Sequence, residues 1–324
     1  MNLDGLLPLP QLDEDLARLE RALRHAVAVD DPFLAEVATH LIEAGGKRLR
    51  PTLTLAAAAV GTRGATDEVL LGGVSVELVH LASLYHDDVM DEAPTRRATE
   101  SVNSRWGNLV AIVAGDFLLA RSAGVAASLG NEVSGLLATT LGRMCQGQIS
   151  EVSTAYNPDR SAERYLATIA DKTASLMSAS CRIGALLAGG EGVRREALTR
   201  FGECFGMVFQ IRDDILDVVG TADELGKPPG QDLVEGVYTL PVLRALSDPE
   251  AAGELRPLLG RRLEGPERAK AAAIVAGSGG VAVAAREARR WAGKAAEMAA
   301  TLRPGELGKA LGSLGHAMID SLPI

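Results

Sequence analysis

Aromatic residues are scarce in this chain: five Phe, four Tyr and two Trp in 324 residues. Sheet cores draw on aromatic and β-branched side chains, so the shortage argues against them, and an Ala- and Leu-rich composition argues for helix. No stretch alternates apolar and polar residues long enough to require a sheet, and no short internal repeat is visible. Cysteine is sparse as well. Cys145, Cys181 and Cys204 are widely spaced and match no zinc pattern, so reduced, mostly buried thiols in a cytoplasmic protein are expected. No unbroken apolar run reaches the roughly 18 residues of a membrane span. The stretch Leu109 to Ala120, for instance, is broken by Gly115 and Asp116. MNLDGLLPLPQLDEDLARL has no basic region ahead of a long apolar one, so no signal peptide is expected. A net charge of −9 argues against nucleic acid as a partner. It does not argue against small anions, whose binding depends on local Lys, Arg and metal.

What is present is acid in an unusual place. Glu77 to Arg97 reads ELVHLASLYHDDVMDEAPTRR, an apolar helical run ending in Asp87, Asp88 and Asp91 with Arg96 and Arg97 just beyond Pro94. The pattern recurs as QIRDDILD, from Gln210 to Asp217, with Asp213, Asp214 and Asp217. Asp87 and Asp91 are four apart, as are Asp213 and Asp217, so each pair shares one helix face at about 5–6 Å. Two carboxylates about 6 Å apart repel by roughly 3 kcal/mol at an effective dielectric of about 20. A facing set would not stay ionised without cations between its members. Carboxylate oxygens completed by water and substrate phosphate describe Mg²⁺. A single such string is weak, since most are solvated helix ends; two copies, each after an apolar run and near basic residues, favour the metal.

Amphipathic helices are expected over 11–29 and 32–44, followed by Gly45-Gly46-Lys47-Arg48-Leu49-Arg50-Pro51. A glycine pair, three cations in four residues and a proline at a helix start make an anion grip by Lys47 and Arg50 plausible beside the acidic helices. Capping of the preceding helix by these cations is the competing reading. Further helices are expected over 51–60, 68–91, 106–127, 133–153, 165–185 and 197–219. The one over 106–127 reads as buried, and Asp116 within it needs a partner. Lys172 and Thr173 interrupt an apolar helical face, and Lys172 is a candidate anion contact. Gly220 to Thr239 is a charged, Gly-rich loop. Pro266 to Ile324 carries no recognisable chemistry. With no Pro- or Ser-rich linker, residues 1–324 read as one all-α domain.

The ordered set Gly46 to Pro51, Glu77 to Arg97, Gly115-Asp116, Lys172-Thr173, Phe209 to Asp217, Gly226-Lys227 and Asp232 to Pro241 resembles the trans-isoprenyl diphosphate synthases, the polyprenyl synthetase family. The resemblance covers almost the whole length. It implies a bundle of long helices around a deep central cavity, usually a homodimer. It also implies Mg²⁺-dependent head-to-tail condensation of isopentenyl diphosphate with an allylic prenyl diphosphate. On this basis Asp87, Asp91, Asp213 and Asp217 would hold Mg²⁺, with Asp88 and Asp214 in support. Arg96, Lys172 and Lys227 would contact the allylic diphosphate, and Lys47, Arg50, His80 and Arg97 the isopentenyl diphosphate. Thr173 and Gln210 would line the path of the carbocation. Two departures stand out. Gly236-Val237 replaces the Gly-Lys of many members, which removes one phosphate contact, and the C-terminus Asp320 to Ile324 lacks the basic ending of some members.

Residues one turn before the first acidic motif lean toward the growing product, because side chains tilt toward a helix N-terminus. Here they are Ala82 and Ser83, small enough by family analogy to admit a product of about thirty to fifty carbons. Leu136, Leu137 and Met144 are candidate stops further along. Product release would involve peripheral contact with a membrane. Alternatives are a shorter-chain farnesyl or geranylgeranyl synthase, a class I terpene cyclase and a regulatory subunit. The basic Gly46–Pro51 segment and Arg97 argue against a cyclase, which has no second diphosphate to hold. Retention of all the acidic positions argues against a regulatory subunit.

Overall fold

The computed structural model describes residues 5–61, 64–190, 192–221, 229–302 and 305–324. Ten helices carry the parts that matter below: α1 (Leu12–Ala26), α2 (Pro32–Glu43), α3 (Leu49–Val60), α4 (Asp67–Met90), α5 (Val102–Trp106), α6 (Asn108–Ser128), α7 (Asn131–Val152), α8 (Ala162–Ile169), α9 (Ser175–Leu187) and α10 (Gly192–Val219). Among the described residues six more follow, the longest being Gly280–Ala300. Among the described residues the only strands are Thr95–Arg96 (β1) and Thr99–Glu100 (β2), one antiparallel ladder just past α4. The fold is all-α. The chain divides into two compact units, one of Met1–Leu141, Leu176–Gly202 and Thr301–Ala310, the other of Gly142–Ser175, Glu203–Ala300 and Leu311–Ile324.

In the first unit the core gathers on α4. Thr66 caps this helix by accepting from the Val69 amide, and Asp31 caps α2 by accepting from Leu34, with Pro32 pre-set for the first helical position. Leu19 and Leu23 of α1, Leu41 and Ile42 of α2, Leu78, Leu81 and Tyr85 of α4 and Leu118 of α6 are enclosed in one apolar cluster. Tyr85 keeps its hydroxyl satisfied by donating to the Val37 carbonyl at 2.7 Å. α3 begins at Leu49, so Pro51 stands inside the first turn, where a missing N–H leaves no bond unmade.

α4 and α6 are each long and apolar enough to cross a membrane by length and composition alone, and 72% of the α4 window is buried within the protein. The expectation of a buried helix over 106–127 is corrected here. Leu109, Ile112, Val113, Ala120, Ala123 and Ala127 form an exposed stripe down α6. Asp116 shares that stripe, largely exposed, with the His86 ring 3.5 Å away.

In the second unit the helix Gly280–Ala300 buries a stripe of Ala284, Ala288, Ala292, Ala295 and Ala299. The continuous helix expected over 165–185 is interrupted. α8 stops at Ile169, a π turn spans Ala170–Ala174, and α9 resumes at Ser175. The extra residue of a π turn needs room. Gly147 of α7 provides it: a Cβ at that position would lie 2.5 Å from the Lys172 amide nitrogen.

Close backbone packing makes a direct stability test possible. A Cβ on Gly184 of α9 would overlap the Thr54 carbonyl oxygen of α3, whereas one on Gly293 meets nothing within 4 Å. Gly184→Ala should therefore cost about 1–3 kcal/mol in urea denaturation. Gly293→Ala should add about 0.5–1 kcal/mol by restricting the unfolded chain and favouring helix. Equal midpoints for the two variants would contradict the packing described.

Candidate active site

The first acidic motif lies on the last turn of α4. Asp87 is half-buried, Asp91 is exposed and Asp88 is fully enclosed. Burial pushes the Asp88 carboxyl above its usual range, and Arg96 pulls it back. The Arg96 guanidinium donates to Asp88 Oδ1 from Nε at 2.7 Å and approaches it from Nη2 at 2.5 Å. The β1–β2 ladder, which carries Arg96, folds it back over the helix end. Arg96 was expected on a diphosphate; two of its five N–H donors already answer Asp88. Asp88 Oδ2 is buried with no hydrogen-bond partner among the described residues.

The basic segment is shaped from behind. Gly45 at φ +79° and Gly46 at φ +156° turn the chain, and Arg48 takes a left-handed φ of 44° just before α3. That turn sends Arg48 inward. It donates to Glu20 of α1, to Glu77 of α4 at 3.0 Å and to the Ile42 carbonyl at 3.2 Å. Lys47 is exposed and Arg50 half-buried. Burial lowers Arg50 to about 10, with Glu77 opposing and Arg97 adding to the shift. Arg97, also left-handed at φ 54°, donates to the Leu41 carbonyl at 2.9 Å and to the Gly45 carbonyl. It thus caps the C-terminal end of α2. A Cβ at Gly46 would sit 2.8 Å from the Arg97 guanidinium, so a side chain there would push Arg97 aside. Glu77 is raised by burial and drawn down by Arg48, Arg50 and Arg97. Arg50, His80 and Arg97 thus share one electrostatic neighbourhood around a buried acid, with Asp87 also acting on Arg50. Glu77 and Arg48 were missed as site residues; the available signal was an acid inside an otherwise apolar run of α4.

On α10, Asp213 is exposed while Asp214 and Asp217 are buried. Asp214 accepts from the Tyr165 hydroxyl on one oxygen and from Gln210 Nε2 at 2.8 Å on the other. Burial raises its carboxyl, and those two hydrogen bonds oppose the rise. Thr173 Oγ1 donates to Gln210 Oε1 at 2.8 Å, so the structure does bring Thr173 and Gln210 together. Asp217 accepts from the amides of Gln231 at 3.3 Å and Asp232 at 3.1 Å, capping the short helix Gln231–Glu235. Lys172, half-buried on the π turn, pairs with Glu151 of α7 at 2.5 Å. Lys227 lies outside the described residues. Ala82 packs into the α4 core cluster with no accessible surface, and Ser83 donates to the His80 carbonyl at 2.8 Å. Of the two, Ser83 alone keeps accessible surface. Leu137 is buried, while Leu136 and Met144 are half-buried.

The donor set is entirely carboxylate oxygen, which fits a hard divalent cation, and the unpartnered Asp88 Oδ2 leaves acceptor capacity beside it. Among the described residues no group of three or more His, Cys, Asp or Glu side chains could by itself hold a metal ion.

The polyprenyl synthetase family model matches residues 31–275. A nonaprenyl diphosphate synthase of Mycobacterium tuberculosis is 43% identical over 247 residues, covering 75% of this chain and 73% of the relative. A protein of Geobacillus stearothermophilus named heptaprenyl diphosphate synthase component 2 is 45% identical over 238 residues, 73% of this chain and 74% of the relative. The crystal structure of a polyprenyl synthase from Caulobacter crescentus, complexed with calcium and isoprenyl diphosphate, superposes with a TM-score of 0.91. It is 31% identical and covers 98% of this chain and 97% of its own.

His80 offers a pH test. Burial first, then Arg50 and Arg97, hold its imidazole well below 6.5. The unfolded chain binds a proton at His80 near 6.5 and the folded chain does not. Stability should therefore fall as pH drops below about 6.5, by at most about 1.4 kcal/mol per unit. Urea midpoints at pH 7.0 and 5.5 should differ less in His80→Gln than in wild type; identical differences would contradict the assignment.

Proposed function

The chain belongs to the polyprenyl synthetase family, and from that premise we propose that it is a long-chain trans-polyprenyl diphosphate synthase. It joins isopentenyl diphosphate head to tail to an allylic diphosphate by ionisation, condensation and proton loss. The observation that carries this reading is the cation-rich neighbourhood of Arg50, His80 and Arg97, built around Glu77 beside Asp87. An acidic motif alone would suit an enzyme with one diphosphate substrate; a basic cluster next to it suits two.

Magnesium, held with the allylic diphosphate by Asp87, Asp91 and Asp213, and by Asp217 in its capped position, would supply Lewis-acid neutralisation of the leaving group. Lys172 adds a positive charge at the π turn. Lys47, Arg50, His80 and Arg97 bind and orient the isopentenyl diphosphate, which turns an encounter of two anions into an ordered approach. Thr173 Oγ1 and Gln210 Oε1 present oxygen to the developing allylic cation and exclude water from it. The departing diphosphate takes the proton that restores the double bond. Each added isoprene unit buries roughly 3–4 kcal/mol of apolar surface at about 0.8 per CH₂, so product release is slow and is helped by membrane contact. The protein works in the cytoplasm.

The exposed α6 stripe is the surface through which two copies would form a homodimer. One specific observation favours a second reading: the Geobacillus relative is named as one component of its enzyme, so the partner on such a surface can be a different chain.

Purified chain with Mg²⁺, isopentenyl diphosphate and farnesyl diphosphate should give, by mass spectrometry, products of about thirty to fifty carbons, and light scattering should report a dimer. Arrest after one or two additions would overturn the chain length. Hydrocarbon or alcohol from a single prenyl diphosphate would favour a cyclase, and turnover only after adding a second chain would favour the two-component form. Asp87→Ala and Asp213→Ala should each lower kcat by about a thousandfold. Ser83→Phe should shorten the product; an unchanged length would count against Ser83 as a wall of the channel.

A further inference from the structure

Four side chains of the second unit form one hydrogen-bonded chain, Thr173–Gln210–Asp214–Tyr165. Gln210 and Asp214 stand one turn apart on α10 and are joined at 2.8 Å. Thr173 of the π turn binds Gln210 at 2.8 Å, and Tyr165 of α8 binds Asp214. The fold thus ties the α8–π segment to α10 at two rungs, and α10 links the rungs. Tyr165 is 1% exposed, with Arg160 over its ring at 5.6 Å from the centroid. The ring is therefore fixed by packing, and the hydroxyl can be removed without emptying the site.

We propose that Tyr165 is a positioning residue for the condensation, acting through Asp214 to fix which end of the Gln210 amide faces Thr173. The chemistry of each bond sets the direction. A carboxylate only accepts, so Asp214 binds the amide through its nitrogen. The amide oxygen is then turned to Thr173, whose O–H points at it. Lone pairs, not protons, are left on Thr173 Oγ1 and Gln210 Oε1 for any neighbouring positive charge. Loss of the Tyr165 hydroxyl leaves Asp214 with one anchor fewer and lets the carboxylate rotate. Once that happens the amide can turn over and present NH₂, a donor that opposes a developing cation. The inference rests on the reading above, in which Thr173 and Gln210 serve the ionisation step.

Tyr165→Phe keeps the ring. Its kcat should fall about tenfold, the equivalent of about 1.4 kcal/mol at the transition state. The KM values for both substrates should stay within about twofold, because ground-state binding is not what Tyr165 controls. Calorimetry with farnesyl thiolodiphosphate, which ionises poorly, should likewise show affinity within about twofold of wild type. In a Gln210→Leu background, which has no amide to orient, adding Tyr165→Phe should change kcat by less than about twofold. A tenfold loss in both backgrounds would mean that Tyr165 acts elsewhere and would overturn the proposal. So would a lower melting temperature with unchanged kcat per folded molecule, or weakened analogue binding that accounts for the whole effect. Wild-type turnover separates the two levels: if the wild type makes no polyprenyl product, the functional reading fails first and this inference with it. A working wild type with an unaffected Tyr165→Phe sinks this inference alone.

Discussion

A carboxylate withdrawn from water must be met by donors, and each acidic cluster of this protein is built around that requirement. Asp88 is answered by Arg96, Asp214 by Tyr165 and Gln210, and Glu77 by Arg48 with Arg50 and Arg97 nearby. In both acidic strings the second aspartate is the buried, protein-bound member, and the first keeps accessible surface. Two aspartates adjacent in sequence thus do different work. One is held by donors of the protein, and the other keeps the surface on which the proposed cation would sit.

The basic side follows the same logic. Arg48 sits inside a run of three cations yet turns inward, because its left-handed backbone directs it at Glu20 and Glu77. Its withdrawal holds the segment from behind and leaves Lys47 and Arg50 nearer the surface. Arg97 is committed to the carbonyls at the end of α2, a dipole-compensating role that also fixes its guanidinium against Gly46. Capping and anion binding are therefore not exclusive here. A guanidinium anchored through one nitrogen is already ordered for the proposed diphosphate, which would reduce the entropy lost on binding.

Helix positions, the all-α class and the acidic and basic strings were legible in sequence because each has a period or spacing that geometry enforces. α4 and α10 fall within a few residues of their expected ends. The π turn at Ala170–Ala174 was not legible, because the room for it comes from Gly147, a residue of another helix whose proximity to Lys172 no local pattern announces. Tyr165 was hidden for the same reason: an apolar-periodic tyrosine reads as core until the partner of its hydroxyl is known. The exposure of α6 was misread because an apolar helix looks buried in sequence even where the chain covers only one of its faces. Asp217 was read only as a ligand, while its amide-capping role depends on where Gln231 and Asp232 return to it.

The division of labour between buried and accessible aspartates can be seen directly in a crystal structure of the protein with Mn²⁺, isopentenyl diphosphate and farnesyl thiolodiphosphate. Anomalous density for the metal should lie against Asp87, Asp91, Asp213 and Asp217, with Asp88 still held by Arg96 and Asp214 still held by Tyr165. Metal bound to Asp88 or Asp214, with Arg96 or Tyr165 displaced from them, would contradict the roles assigned here.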